Sequence, residues 1–153
     1  MEITAVINGK KMNLSVLPDE MLIETLRGLG LYSVRCGCDT TNCGLCTVWM
    51  DGKPVLSCAV PSFRIEGHEI TTLEGVKEEA EAFAACMAAE GADQCGYCST
   101  GFIMGVLALK RLQTNVTKEE IDHVLAGNLC RCTGYMSQLR AIERYLGVKV
   151  CDM

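Results

Sequence analysis

The chain has 153 residues, eleven cysteines and a net charge of −5 at pH 7, and its lysines and arginines are scattered. A length of this order suits one ordinary domain or two small ones, and the charge argues against a nucleic-acid partner or an anionic membrane. No apolar run approaches the roughly 20 residues of a membrane span, and the start "MEITAVINGK" lacks the features of an export signal. We therefore expect a cytoplasmic protein without a membrane partner.

The first 75 residues show the alternation of short strands, interrupted by one helix. Two hairpins are predicted at Asn8-Gly9 and Asp51-Gly52, because these dipeptides favour tight two-residue turns. The segment "HEITTLEG" is expected to add a closing strand. A short helix after the first hairpin should turn three residues inward, namely Leu22, Ile23 and Leu26. The expected result is a small mixed sheet packed on one helix.

Beyond residue 75 the apolar residues recur at helical spacing, which predicts four helices. Thr117 with Glu120 forms a capping-box pattern at the start of the third helix. The predicted inward faces, in chain order, are Ala80, Phe83, Ala84, Met87 and Ala88; Phe102, Ile103, Val106, Leu107 and Leu109; Ile121, Val124 and Leu125; and Tyr135, Met136, Leu139, Ile142 and Leu146. The fold class is therefore predicted as α+β, with a strand-rich domain over 1–75 and an all-helical domain over 76–153.

The stretch "CGCDTTNCGLCTV" carries the strongest chemical signal of the first half. Cys38, Cys43 and Cys46 follow the spacing C-x4-C-x2-C, and eleven residues separate Cys46 from Cys58. This is the plant-type [2Fe–2S] pattern, in which a loop supplies three thiolates and a neighbouring strand the fourth. Glycines in the loop let backbone N–H groups approach the anionic sulfurs. The spacing therefore predicts an iron–sulfur cluster.

A second group of cysteines lies in the helical half. Cys95 and Cys98 stand in "QCGYC", and Cys130 and Cys132 stand in "NLCRC", with thirty-one residues between the two pairs. Both pairs come before predicted helices, whose N-termini present N–H groups that favour thiolate. Two helix starts facing each other would form a four-thiolate site. By spacing alone, this site suits zinc as well as iron.

The remaining three cysteines lack such a context. Cys36 breaks the spacing of the first group, Cys86 lies in an apolar helix and Cys151 in the C-terminal tail, so all three are interpreted as unused thiols. A disulfide framework is disfavoured, because the chain is expected to be cytosolic and the number of cysteines is odd. Thiol–disulfide exchange at a C-x-x-C pair would need a βαβ setting, which the pattern lacks.

Taken together, the motifs resemble those of the iron–sulfur subunit of the molybdenum hydroxylases, the family of the xanthine, nicotinate and carbon monoxide dehydrogenases and the aldehyde oxidoreductases. The order "GCDTTNCGLCTV", "SC", "QCGYCSTGF", "GNLCRCTGY" carries this resemblance over nearly the whole chain. It implies a β-grasp, plant-type ferredoxin-like domain with the first cluster, followed by a four-helix domain with the second.

The resemblance also implies a role for each site. It assigns two ligand sets, Cys38, Cys43, Cys46 and Cys58 for the first [2Fe–2S] cluster and Cys95, Cys98, Cys130 and Cys132 for the second. The second cluster would lie beside the molybdopterin of a large partner subunit, with Gln94 near the pterin, and the first would face an FAD-binding subunit. Electrons would pass from molybdenum through both clusters to FAD, and no catalytic residue would lie on this chain. Overall resemblance favours a xanthine or purine substrate, with aldehyde, nicotinate or carbon monoxide as alternatives.

The sequence departs from the family pattern at three positions that bind no metal. Thr41 stands where glycine is common, which predicts a slightly different loop path; Thr100 replaces a usual proline; and Cys36 replaces an acidic residue. Two other interpretations stay open, namely a zinc-stabilised interaction module and a free-standing ferredoxin that serves several enzymes.

Overall fold

The computed structural model describes residues 1–113 and 116–149, and within them it contains five strands and five α-helices. The strands are β1 (Glu2–Ile7), β2 (Lys10–Ser15), β3 (Thr47–Met50), β4 (Lys53–Leu56) and β5 (Glu69–Thr71). The helices are α1 (Leu22–Gly28), α2 (Lys77–Ala89), α3 (Ser99–Leu112), α4 (Lys118–Ala126) and α5 (Met136–Leu146). The α+β fold class is confirmed. Cys151 and the last residues of the predicted second domain lie outside the described ranges.

The five strands form one mixed sheet in the order β2-β1-β5-β3-β4. Both predicted hairpins are present, and the central residues of their turns, Asn8-Gly9 and Asp51-Gly52, all have positive φ angles. Positive φ at both positions gives the turn a twist that matches that of the strands. The predicted closing strand is β5, which lies parallel to β1 and antiparallel to β3 and so joins the two hairpins.

Helix α1 packs on this sheet and closes the first core. Its inward face is the predicted one, since Leu22 and Leu26 are fully buried and Ile23 is nearly so. These side chains pack with strand residues such as Ile3, Val48 and Ile70. Burial of apolar surface is the main stabilising contribution for so small a layer.

The helical half is built around α3, which contacts α2, α4 and β3 and is buried over most of its length. The predicted capping box at the start of α4 is present, with the Thr117 side chain accepting from the Glu120 backbone N–H. Three predictions of inward-facing residues are wrong, because Ala84 and Ala88 on α2 and Met136 on α5 are exposed. Helix α2 packs through a narrow face, so the alanines that flank this face stay in solvent. Among the described residues, no helix is long and apolar enough to cross a membrane.

Trp49 joins the sheet to the helices. It lies on β3, yet its side chain is 1% exposed and belongs to the apolar core of the helical half. Its indole N–H donates to the Met104 carbonyl oxygen at 3.0 Å, and the Arg111 guanidinium lies 4.6 Å from the ring centre. The two halves therefore share a core, which fixes how their cysteine loops face each other.

Candidate metal centres

The first candidate centre is a small cavity below the loop that connects α1 to β3. Its lining includes the four predicted ligands, Cys38, Cys43, Cys46 and Cys58, and also Cys36. Two of these predicted ligands, Cys43 and Cys46, are buried, and the other two are half-buried. The Sγ atoms of Cys46 and Cys58 are 3.4 Å apart. The structure thus brings the whole predicted ligand set of the first cluster together.

Backbone conformation shapes this loop. A Cβ atom on Gly37 would come within 2.6 Å of the Leu45 Cδ2 atom, so a larger residue there would displace the Leu45 side chain. Thr41, at the position where glycine is common in the family, has a φ angle of 57°. That left-handed conformation is sterically costly for a β-branched residue. The loop therefore carries local strain that a glycine would not have.

The second candidate centre is assembled from the segments before α3 and α5. Cys98 directly precedes α3, as predicted, and the Sγ atoms of Cys95 and Cys132 are 3.6 Å apart. Cys130 packs against Cys98 in one apolar cluster. Cys98 is buried and Cys130 half-buried, whereas Cys95 and Cys132 are exposed. All four predicted thiols of the second site are therefore adjacent.

Side chains between the second pair and α5 support Cys130. The Thr133 hydroxyl donates to the Cys130 Sγ at 3.2 Å, and the Cys130 backbone N–H donates to the Tyr135 hydroxyl at 2.8 Å. Tyr135 itself has a left-handed backbone with φ of 71° where the chain turns into α5. These contacts fix the direction of the Cys130 thiol.

The arrangement of the thiols bears on which metal they can bind. A disulfide would hold its sulfurs about 2.05 Å apart, whereas two thiolates on one tetrahedral metal, with bonds of about 2.3 Å, lie about 3.8 Å apart. The observed separations of 3.4 and 3.6 Å are close to the second value. The neighbouring thiols are therefore spaced for sharing a metal rather than for forming a disulfide.

The local environment lowers the pKa of one thiol and raises the pKa of two others. Hydrogen bonds from the loop backbone, that of Asn42 first, lower the pKa of Cys38 to about 6. Burial raises the pKa of Cys46 to about 11 and that of Cys98 to about 12. Because a cysteine binds metal as thiolate, loading of the buried thiols must release protons.

The two sites meet at a junction of backbone and small residues. The Leu129 N–H donates to the Cys43 carbonyl oxygen at 2.8 Å, and the buried Asn128 amide donates to the Gly44 carbonyl oxygen at 3.1 Å. A Cβ atom on Gly101 would overlap that same Gly44 oxygen. Leu45 packs with thiols of both sites in one apolar cluster. The loops of the two centres are therefore in direct contact.

Comparison with known proteins identifies both halves. Residues 5–89 match the family described as "2Fe-2S iron-sulfur cluster binding domain", and residues 72–143 match the "[2Fe-2S] binding domain" family. The nicotinate dehydrogenase small FeS subunit of Eubacterium barkeri is 39% identical, covering 91% of this chain and 90% of its own. The xanthine dehydrogenase iron-sulfur-binding subunit of Escherichia coli O157:H7 is 43% identical, covering 87% and 86%. The chain belongs to the family of molybdenum hydroxylase iron–sulfur subunits.

Solved structures of molybdenum hydroxylases agree with this family. Quinoline 2-oxidoreductase from Pseudomonas putida 86 contains a chain that superposes with a TM-score of 0.85 at 35% identity, covering 93% of this chain and 90% of that chain. Aldehyde oxidoreductase from Desulfovibrio gigas also gives 0.85, at 34% identity, covering 96% of this chain and 17% of the longer one. As an iron–sulfur subunit of this family, the chain has two [2Fe–2S] binding domains and carries electrons rather than converting a substrate.

The other residues considered as candidates lie outside the two groups of four thiols. Gln94 is exposed beside Cys95, and its contact with a pterin stays a prediction. Cys86 packs half-buried against the helical core. His68 contacts Asp51 at 2.6 Å, away from both cysteine groups. The sequence patterns did not reveal the junction residues, and Asn128 had only its place beside the "LCRC" motif as a signal.

Proposed function

We propose that this iron–sulfur subunit relays electrons from a molybdopterin-bearing large subunit, through the second and then the first [2Fe–2S] cluster, to an FAD-binding subunit. The proposed ligands are the eight cysteines of the two centres, namely Cys38, Cys43, Cys46 and Cys58, and Cys95, Cys98, Cys130 and Cys132. When bound, such clusters accept and release single electrons at potentials set by hydrogen bonds and exposure. We propose no catalytic residue on this chain.

Direct contact between the two centres is the observation that carries this proposal. Leu129, the residue before Cys130, donates its N–H to the carbonyl oxygen of Cys43, so one hydrogen bond of 2.8 Å joins the two ligand segments. Leu45 fills the space between Cys43 and Cys98 with apolar atoms. Two redox centres whose ligand segments are in direct contact can act as a relay rather than as two independent sites.

The exposed side of the second centre supports the direction of the relay. Around its exposed thiols lie three large side chains that are 47–49% exposed, Tyr97, Leu129 and Met136. An apolar rim around a half-open metal site is typical of a surface that a partner covers. We therefore place the large subunit here, with Gln94 toward its pterin, and the FAD subunit on the side of the first centre.

The substrate is bound by the partner in this proposal. The similar proteins are named for xanthine and for nicotinate, and both substrate classes are compatible with this chain, as are aldehydes. We also propose a cytoplasmic location, because eight of the eleven cysteines are assigned to metal clusters and the odd total does not suit a disulfide framework. Disulfide frameworks belong to oxidising compartments.

The test is to purify the native complex through a tag on this chain, and to quantify metals and record its spectra. We expect about four irons per chain, molybdenum in a larger co-purifying subunit, and paramagnetic signals of two clusters after reduction with dithionite. Zinc in place of iron, or a colourless preparation that is silent after dithionite, would contradict the relay. If the tagged chain came out of the native extract loaded with iron but without any molybdenum subunit, the free-standing ferredoxin would be favoured.

A further inference from the structure

Arg35 and Tyr97 tie the loops of the two metal centres together. Arg35, just before the first loop, donates from Nη1 to the carbonyl oxygen of Gly96, inside the second-site loop 95–98. In return the Tyr97 hydroxyl donates to the carbonyl oxygen of Cys36 at 2.8 Å. The Arg35 guanidinium carbon also lies 5.2 Å from the centre of the Tyr97 ring. The contact is therefore reciprocal, with each loop supplying a side chain to the backbone of the other.

Arg35 belongs to the first centre as well. It lines the same cavity as the four thiols of that centre. One half-buried guanidinium therefore touches the lining of the first site and the backbone between two proposed ligands of the second.

The charge of Arg35 is available to both centres. Arginine stays protonated under all ordinary conditions. Within the described ranges Arg35 forms no ion pair with a carboxylate, whereas Arg111, Arg140 and Arg144 each pair with a glutamate. Its guanidinium is held instead by a carbonyl oxygen and an aromatic face, neither of which neutralises it. A cluster with four thiolates is anionic, and each electron that it accepts adds one negative charge.

We propose that Arg35 is shared by both clusters and that its positive charge raises both reduction potentials together. The inference rests on the proposed relay. In each step one electron converts one Fe(III) to Fe(II), with no bond formed and no proton moved; it arrives from the molybdenum centre of the partner and leaves toward the flavin. A fixed positive charge between the two loops favours the reduced, more negative state of both clusters. Because both reduction potentials rise together, the difference between them is preserved.

The test is a redox titration of the purified complex, monitored by the paramagnetic signals of the two clusters, with Arg35→Met compared with wild type. At a fixed applied potential, we expect the ratio of reduced to oxidised cluster to fall at least tenfold at both centres. For a one-electron couple, a tenfold fall corresponds to a reduction potential lower by 59 mV. Arg35→Lys keeps the charge and should stay within twofold of wild type. Arg144→Met removes an equal charge from the far end of α5 and should change neither potential.

The Tyr97→Phe variant separates the effect of the Arg35 charge from the effect of the hydrogen bond that joins the two loops. This variant loses the hydrogen bond to Cys36 but keeps the ring and Arg35, so both potentials should stay within twofold of wild type. An equal fall in Tyr97→Phe and Arg35→Met would overturn the inference, because loop position rather than charge would then set the potentials. So would a shift at one cluster only, or no shift in fully loaded Arg35→Met.

If Arg35→Met fails to retain both clusters, Arg35→Gln and Arg35→Lys decide the matter. Glutamine can still donate to the Gly96 carbonyl oxygen without a charge, so the two variants should differ tenfold at both centres. Equal potentials would overturn the inference. Titration of the wild-type complex in the same series checks the relay itself: two reducible clusters there, with no effect at Arg35, would remove this inference and leave the proposed function standing.

Discussion

The two candidate metal centres each bring four thiols together but are built in different ways. The first takes three cysteines from one loop and a fourth from just beyond β4, and it buries Cys43 and Cys46. The second brings together two segments with thirty-one residues between their pairs, and it leaves Cys95 and Cys132 exposed. A site wrapped by one loop is largely self-contained, whereas a site between two helix starts depends on how those helices pack and on what covers it.

The largest expected effect is the loss of one cluster at a time. Cys46→Ser should lower the iron content from about four to about two per chain, because Cys46 is a buried proposed ligand of the first site. The signal of the second cluster should persist, since its thiols come from other elements. Metal analysis and paramagnetic spectra of the reduced complex check this. Cys86→Ser, which alters a cysteine outside both sites, should keep all the iron.

Loss of both clusters in Cys46→Ser would show that the second site depends on the first. Retention of all four irons would contradict the ligand assignment itself. The mirrored variant Cys98→Ser should remove only the second cluster, and it completes the comparison.

The junction between the centres should be the next most sensitive place. Gly101→Ala puts a Cβ atom onto the Gly44 carbonyl oxygen and within 2.8 Å of the Leu45 Cα, both backbone atoms that cannot move aside. Overpacking of this kind costs about 1–3 kcal/mol, so the free energy of unfolding should fall by that amount. Denaturant unfolding of the loaded protein, followed by circular dichroism, measures the change.

Gly105→Ala, one turn later in α3, is the matched control. There the nearest atom to a new Cβ is a Val124 methyl carbon at 3.4 Å, an ordinary contact. Since alanine is favoured over glycine in a helix interior by about 1 kcal/mol, this variant should be neutral or slightly stabilising. Equal losses for the two variants would contradict the proposed close approach at Gly101.

Chelation should distinguish the two centres by a smaller, kinetic effect. In the isolated chain an iron chelator should remove the second cluster several-fold faster than the first, because two of its four thiols are exposed. Paramagnetic signals recorded during chelation follow each cluster separately. In the complete complex the difference between the two rates of cluster loss should be smaller, since the proposed large subunit covers the exposed thiols of the second centre. Faster loss of the first cluster from the isolated chain would contradict the comparison.

The smallest expected effect is a gain in stability at the first loop. A left-handed conformation costs an L-residue roughly 1–2 kcal/mol, and glycine's extra chain entropy returns part of this, about 0.5–1 kcal/mol. Thr41→Gly should therefore stabilise the loaded protein by up to about 1 kcal/mol, seen as a higher melting temperature. Thr40→Gly, at a neighbouring residue without a positive φ, should lower it. A lower melting temperature for Thr41→Gly would show that the strain is absent.

Most of the architecture follows from local patterns, and the sequence predicted that part well. The turn dipeptides Asn8-Gly9 and Asp51-Gly52 and the capping box at Thr117 are set by a few neighbouring residues, so all three are present as expected. Cysteine spacing likewise predicted that the four thiols of the first centre line one cavity, whereas the meeting of the two segments of the second centre depends on how their helices pack.

Features that depend on tertiary packing did not follow from the sequence. Ala84 and Ala88 share a helical face with buried residues but lie outside the narrow strip that α2 packs on its neighbours. Arg35 and Tyr97 are sixty-two positions apart and obey no periodic rule, so only the folded chain reveals their contact. The same holds for Gly101, whose backbone approach to Gly44 depends on how the helices dock on the sheet.

The position of Trp49 limits how such a chain can be divided. Its indole is the largest fully buried side chain in the structure as described, and it sits among helical residues although its backbone lies in the sheet. A fragment ending at residue 75 would present this ring, with its unpaired N–H, to water. The ferredoxin-like part therefore cannot be moved to another enzyme unchanged. Without the helices it would expose an apolar patch that favours aggregation, unless the tryptophan were replaced.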